Sequence, residues 1–384
     1  MRHGHSIFPL HLHVARLAPL LVGLLLAPGA FAVDSVLPQG MNGFGKSAAG
    51  LQRVQEHAQE QAQENAQANA QPEARVPRAR LDVDALMSAV VRVKMKAIEG
   101  ARSSATLGAS REGSGVVIDE RGHILTIGYI VTEADSIEVV TNGNRTVPAI
   151  LAAYDHASGF GLLRATSALH VTPMALGNSD ALAVREPVMI LPAGGQESAM
   201  RASVMSRRQF TGSWEYLLET AIFTSPPTMQ WAGAALVNRE GKLVGIGSLL
   251  VRDAVEPGTP QPGNMFVPVD TVKSVLAELI AKGRRDAPAM PWIGLATEES
   301  QGRLFVVRVS PEGPADKAGL RPGDIVMGVG ADSVGSQAEF YRRLWAQGAA
   351  GTEVKLKVLQ GPNLRDVGIR SIDRQAYFKD KPSL

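Results

Sequence analysis

Four histidines, His57, His123, His156 and His170, stand beyond residue 32, and any base-activated nucleophile in that part of the chain would have to use one of them. Such chemistry needs the imidazole within hydrogen-bond reach of a hydroxyl, with a third group holding the ring. His57 falls in a Gln/Ala-rich stretch, His123 in a predicted hairpin turn, and His156 and His170 in loops, so each reads as a solvated residue. His156 beside Asp155 suggests metal ligation, but no HExxH or other ligand spacing accompanies the pair. No metal and no cofactor are expected. The chain has no cysteine, which removes disulfides, thiolate metal sites and cysteine nucleophiles from consideration.

These residues are carried by a chain with three compositional zones. Residues 1–32 combine a weakly basic start with the apolar run "LAPLLVGLLLAPGAFA" and small residues at Ala30 and Ala32, which predicts a secretory signal peptide cleaved after Ala32, with an uncleaved anchor as the other reading. That places the protein in a periplasm or outside the cell. Arg2 and Arg16 are the only charged residues of this zone, so the remainder balances 37 basic against 37 acidic residues and offers no electrostatic argument for nucleic acid. Residues 33–80 form a spacer whose "LQRVQEHAQEQAQENAQANAQPEAR" lacks the large apolar residues needed for a core.

From 81 to 284 the pattern becomes short β-rich runs such as "SGVVID", "HILTIGYIV", "SIEVVT", "PVMILPA" and "KLVGIGSLLV", which predict an all-β barrel or sandwich. "DERGH", "NREGK" and the Asn-Gly of "TNGNR" supply hairpin turns. "DTVKSVLAELIAKG" reads as one amphipathic helix over 270–283, capped by Asp270 and ended by Gly283. "RRDAPAMP" reads as a linker, and 290–376 alternates strands with the helices "PADKAGL" and "SQAEFYRRLWAQG" in a compact α+β domain.

Several collinear stretches together resemble the HtrA/Deg serine proteases. "GSGVVIDERGHILTIGYIV", "YDHASGFGLLRA", "LGNSDALAVREPVMILPAGG", "LETAIFTSPPTMQWAGAALVNREGKLVGIG" and "FVPVDTVKSVLAELI" look like successive segments of that family's protease domain. "PWIGLATEESQGRLFVVRVSPEGPADKAGLRPGDIVMGVG" is similar to its C-terminal PDZ domain. The fold so implied is mainly β: a chymotrypsin-like double β-barrel over 81–284, followed by a small α+β PDZ domain over 290–376.

The resemblance also implies where catalysis should sit, and all three positions are replaced. The family's histidine corresponds to Tyr129, its aspartate to Gly159 and its serine to Ala232. A phenol with an ordinary pKa near 10 is protonated at neutral pH and takes no proton from a serine. Glycine and alanine supply neither an orienting carboxylate nor a nucleophile. Gln230 and Trp231 precede Ala232 where the family has a Gly-rich turn, which is expected to distort or plug the oxyanion hole. Ser225 and Ser248 lie near this centre, but no histidine holds the partner position expected for either.

The PDZ resemblance implies a groove that adds a peptide as a strand and seats its terminal carboxylate on backbone N–H groups. That loop corresponds to Trp292, Ile293, Gly294 and Leu295, with Phe340, Tyr341 and Leu344 as candidates for the opposite wall. Phe340 and Leu344 repeat at i and i+4 and read equally as core. The expected function is a non-catalytic protein that binds peptide C-termini or unfolded, secreted proteins, as adaptor, chaperone or regulator of an active HtrA/Deg relative. The alternatives are a serine endopeptidase with a displaced site, using a loop serine with His156, and a structural platform. The resemblance implies a homo-oligomer, a trimer.

Overall fold

The computed structural model describes residues 81–379. The expected signal peptide and spacer, with His57, lie outside the described residues. Two closed six-stranded antiparallel barrels come first. The first comprises β1 (Val90–Ala97), β2 (Ser110–Val117), β3 (His123–Ile127), β4 (Ala134–Val140), β5 (Thr146–Asp155) and β6 (Phe160–Ala165), in the order β1-β2-β3-β6-β5-β4. The second comprises β7 (Pro187–Leu191), β8 (Met200–Gly212), β9 (Tyr216–Ser225), β10 (Ala235–Val237), β11 (Leu243–Val251) and β12 (Gly263–Pro268), in the order β10-β11-β12-β9-β8-β7. Closure pairs every edge, so alternating apolar positions can face a common interior. In β1, Val91, Val93 and Met95 point inward while Lys94 and Lys96 are exposed. Strand β3 is buried at every position, with His123 paired to Asp119 and the Thr126 hydroxyl donating to the Ser114 carbonyl.

The turns follow their sequences with one exception. In "DERGH" the Asp119 carboxylate accepts from the His123 N–H, and in "NREGK" the Asn238 side chain accepts from the Glu240 and Lys242 N–H groups. In "TNGNR" the left-handed residue is Asn144 (φ 58°) rather than the glycine of the Asn-Gly pair.

Two helical expectations are corrected. "GYIV", read as the end of a strand, is a helical turn over Gly128–Val131. "DTVKSVLAELIAKG" is two pieces, Asp270–Lys273 and Leu276–Lys282, broken where Val275 leaves ideal helical geometry at φ −115°. Asp270 does not cap it: Val269 holds the cap position, and the Asp270 carboxylate instead accepts from Ser179 and Asp180 N–H groups and the Ser179 hydroxyl. Tertiary donors outcompete the local cap because they satisfy both the carboxylate and the loop over 179–180. Gly283 does end the helix, in the left-handed conformation at φ 71°.

A third sheet follows, with β13 (Leu295–Ser300), β14 (Arg303–Val309), β15 (Ile325–Val329), β17 (Glu353–Gln360) and β18 (Asn363–Arg370) in sequence order and β16 (Asp332–Ser333) paired to β15. The helix Gln337–Trp345, capped by the Ser336 hydroxyl on the Glu339 N–H, buries Phe340, Tyr341 and Leu344 against this sheet. The barrels and this domain share contacts. Arg285, in the expected linker, forms a bidentate pair with the buried Asp155 carboxylate at 2.6 Å on both arms. The β8–β9 hairpin runs past its barrel, and its three-residue tip, Ser213 to Glu215, reaches the C-terminal domain. Side chains alternate along β9: Leu218 packs in the barrel core, while Leu217 packs against the C-terminal domain's core.

Candidate functional site

Tyr129 lies in the helical turn after β3, at the junction of the two barrels. Its hydroxyl donates to the Ser248 carbonyl of β11 at 3.0 Å. Its backbone carbonyl is held by the Arg111 guanidinium at 3.0 Å, which also reaches the Thr132 and Gly108 carbonyls and the Ser103 hydroxyl. Burial pushes the Tyr129 phenol well above its ordinary range. A protonated phenol already donating to a carbonyl has no role as a general base at neutral pH.

Gly159 follows the β5–β6 turn with φ 81°, a conformation that disfavours a side chain. A Cβ built there would stand 2.9 Å from the Tyr216 hydroxyl and 3.2 Å from the ring. Tyr216 is buried at the start of β9, next to the hairpin tip, and its hydroxyl donates to the Ser158 carbonyl at 2.6 Å. The space beside Gly159 therefore holds a phenol.

Ala232 turns its carbonyl to the Ser114 N–H at 2.8 Å. The Gln230 N–H donates to the Thr228 hydroxyl at 3.2 Å, and Thr228 is in turn fixed by Asn264, which accepts its N–H at 2.7 Å and donates to its carbonyl at 3.1 Å. A donor two residues before the nucleophile position is thus committed to the chain itself. Trp231, the residue before Ala232, is half-buried.

The histidines are placed differently from a set of solvated loop residues. His123 is buried at the start of β3, its Nδ1 2.7 Å from Asp119, because the tight turn folds the ring back onto the carboxylate that also accepts its N–H. His156 is half-buried with Nε2 3.1 Å from the Gln375 side-chain oxygen, and its Nδ1 is covered and without a partner. Burial lowers its pKa to about 3, with Arg374 adding to the effect, so the ring is neutral. His170 is exposed, as expected. The Ser225 hydroxyl donates to the Pro262 carbonyl. Among the described residues, no group of three or more His, Cys, Asp or Glu side chains could hold a metal ion.

In the C-terminal domain the loop before β13 presents three consecutive N–H groups, and all three point at one carboxylate. Gly294 and Leu295 donate to Glu215 Oε1 at 2.6 and 2.9 Å, and Ile293 donates to Oε2 at 3.2 Å. Gly294 has φ 83°, which turns the loop so that its successive donors converge. Glu215 comes from the tip of the β8–β9 hairpin, in the left-handed conformation (φ 57°) that a three-residue hairpin turn demands of its last residue.

The rest of the tip lies between β13 and the helix Gln337–Trp345. The Thr297 N–H donates to the Ser213 carbonyl at 3.2 Å, the Tyr341 hydroxyl to the Gly212 carbonyl at 2.7 Å, and the Thr211 hydroxyl to Gln337 at 2.9 Å. On the hairpin's outer side, Arg342 forms a forked pair with Glu219 at 2.7 to 3.1 Å. Glu215 is 5% exposed, and burial pushes its carboxyl up to about 7, against the pull of the three N–H groups and of Arg374.

Of the expected groove residues, Ile293, Gly294 and Leu295 share the carboxylate through their N–H groups, and Tyr341 touches the tip. Phe340 and Leu344 are wholly buried in the domain core, and the Trp292 ring packs on Tyr377 at 4.7 Å. The chain's own hairpin lies against Ile293, Gly294, Leu295 and Tyr341. The contacts of Glu215 and Tyr216 are not legible in the sequence. The aromatic-rich "FTGSWEY" marks a hairpin tip, but nothing local marks its docking partner about eighty residues away.

Comparison with known proteins supports two domains. Residues 113–246 match the trypsin-like peptidase domain and residues 291–370 match the PDZ domain. The chain is 26% identical over 287 residues to a probable periplasmic serine protease do/HhoA-like of Haemophilus influenzae, covering 71% of this chain and 60% of that one. It is 27% identical over 242 residues to the serine endoprotease DegS of Escherichia coli, covering 56% and 64%. The chain thus spans less than two thirds of the length of either relative. Among solved structures, the HtrA-type protease AlgW with decapeptide aligns over 78% of this chain and 99% of its own at 18% identity and a TM-score of 0.47.

Proposed function

From a chain that joins a trypsin-like peptidase domain to a PDZ domain in the HtrA/Deg order, we propose a non-catalytic protein that binds peptide C-termini or unfolded, secreted proteins through its PDZ domain. It acts in the periplasm as adaptor, chaperone or regulator of an active relative, and as a homo-oligomer of the trimeric kind that the family resemblance implies. The observation that carries the non-catalytic reading is the filling of the second triad position. Tyr216 occupies the space beside Gly159, so the site lacks room for a carboxylate as well as lacking the carboxylate itself. Tyr129 and Ala232 supply no base and no nucleophile, and the Gln230 N–H is already engaged. Periplasmic relatives support the compartment.

The displaced-site reading gains nothing from the histidines, since His123 and His156 have Asp119 and Gln375 as their side-chain partners rather than a serine. The test is cleavage of casein by the purified protein beside an active HtrA/Deg enzyme, with fluorophosphonate labelling in parallel. No turnover and no labelling are expected; turnover that survives changes at Tyr129 and Ala232 rules the reading out.

A further inference from the structure

We infer that the β8–β9 turn is an internal ligand of the PDZ domain, its Glu215 carboxylate holding the seat of a peptide's C-terminal carboxylate, so that an incoming C-terminal peptide binds by displacing the turn. The inference rests on the peptide-binding reading above and adds what the peptide must compete with. Three convergent N–H donors are the feature that recognises a terminal carboxylate, and each is already used by Glu215. The mimicry extends along the groove. Ser213 accepts from the Thr297 N–H of β13, as an added strand would, and Leu217 packs on the domain's apolar core.

The occupant is tethered, so its effective concentration is high and it excludes weak competitors. A displacing ligand therefore needs a free α-carboxylate to take over the three donors, and apolar side chains to replace Leu217. An amidated terminus or an internal peptide segment lacks the charge that the seat accepts. Displacement also reaches the old catalytic centre. Tyr216, adjacent to Glu215, fills the space beside Gly159, so release of the turn pulls on the residue that closes the second triad position.

The experiment compares the full-length protein with Glu215→Gln and Glu215→Ala in two measurements. Amide hydrogen exchange reads the protection of Ile293, Gly294 and Leu295. Fluorescence anisotropy reads binding of a decapeptide library with Val, Leu or Phe at the C-terminus, once with free carboxylates and once amidated.

Loss of the acceptor oxygens should speed exchange at the three amides and tighten free-acid peptide binding, each by about tenfold or more in Glu215→Ala, and by less in Glu215→Gln, which keeps one acceptor. The amidated library should bind weakly throughout. Unchanged exchange in both variants overturns the inference, because the turn then does not guard the donors. Equal free-acid affinity in wild type and variants overturns displacement while leaving PDZ peptide binding standing. Faster exchange with no free-acid binding to any form overturns displacement together with the peptide-binding reading.

Discussion

The Tyr216 hydroxyl stands where a side chain on Gly159 would have to be: a Cβ at 159 would lie 2.9 Å from it. One residue on, Glu215 sits on the N–H groups of Ile293, Gly294 and Leu295. Two adjacent residues of one hairpin thus meet both Gly159 and the loop over 293–295.

Restoring the triad by sequence alone should fail. In the triple variant Tyr129→His, Gly159→Asp, Ala232→Ser, the aspartate meets Tyr216 and forces a left-handed backbone onto a residue with a side chain. Gly159→Asp by itself should lower stability by about 2–4 kcal/mol in urea denaturation. The triple variant should show no casein turnover; activity comparable to a family enzyme would contradict this account.

Removing the Tyr129 hydroxyl tests its part in joining the barrels. Tyr129→Phe leaves the Ser248 carbonyl short of its donor, a loss of about 1 kcal/mol measured by chemical denaturation, with no change in peptide binding. A loss near zero would show that the hydrogen bond contributes nothing net.

Asp155 and Arg285 hold the expected linker to the β5–β6 turn through a carboxylate that is nearly fully covered. Arg285→Ala leaves that buried charge with Ser158 as its remaining side-chain partner. The cost should be about 3 kcal/mol in thermal or urea unfolding. A surface-like effect of a few tenths would mean that the pair is dispensable.

The docking of the hairpin should respond to pH with a defined sign. Burial holds the Glu215 carboxyl up at about 7, above its ordinary value of 4.5, and Arg374 and Tyr341 are the other titratable side chains facing it. Because the docked carboxyl binds its proton more tightly than the free one, protonation favours docking. The stabilisation is greatest below 4.5 and is lost as pH rises through 7. Wild-type binding of free-acid peptides should therefore strengthen between pH 5 and 8 by about tenfold relative to Glu215→Gln. A difference of the opposite sign would refute the assignment.

Phe340 and Leu344, on the inner face of the helix Gln337–Trp345, separate groove from core. Phe340→Ala or Leu344→Ala should cost about 3–5 kcal/mol and loosen the whole C-terminal domain, because both are completely buried. Selective loss of peptide affinity without destabilisation would instead make them groove walls.

The sequence by itself determined the barrels and the second domain. β-rich alternation, turn glycines such as Gly122 and Gly241, and the order of the segments are local or collinear signals, readable one stretch at a time. Where a local preference met a tertiary competitor, the tertiary one won. Asp270 left its helix cap for the Ser179 loop, and His123 left solvent for Asp119. Only the tertiary structure decided that Tyr216 closes the space beside Gly159 and that Glu215 accepts from the N–H groups of Ile293, Gly294 and Leu295. Both depend on where a long hairpin tip lands on elements far away in sequence. Hydrogen-bond donors and empty volume carry no record in the chain of which distant side chain will fill them.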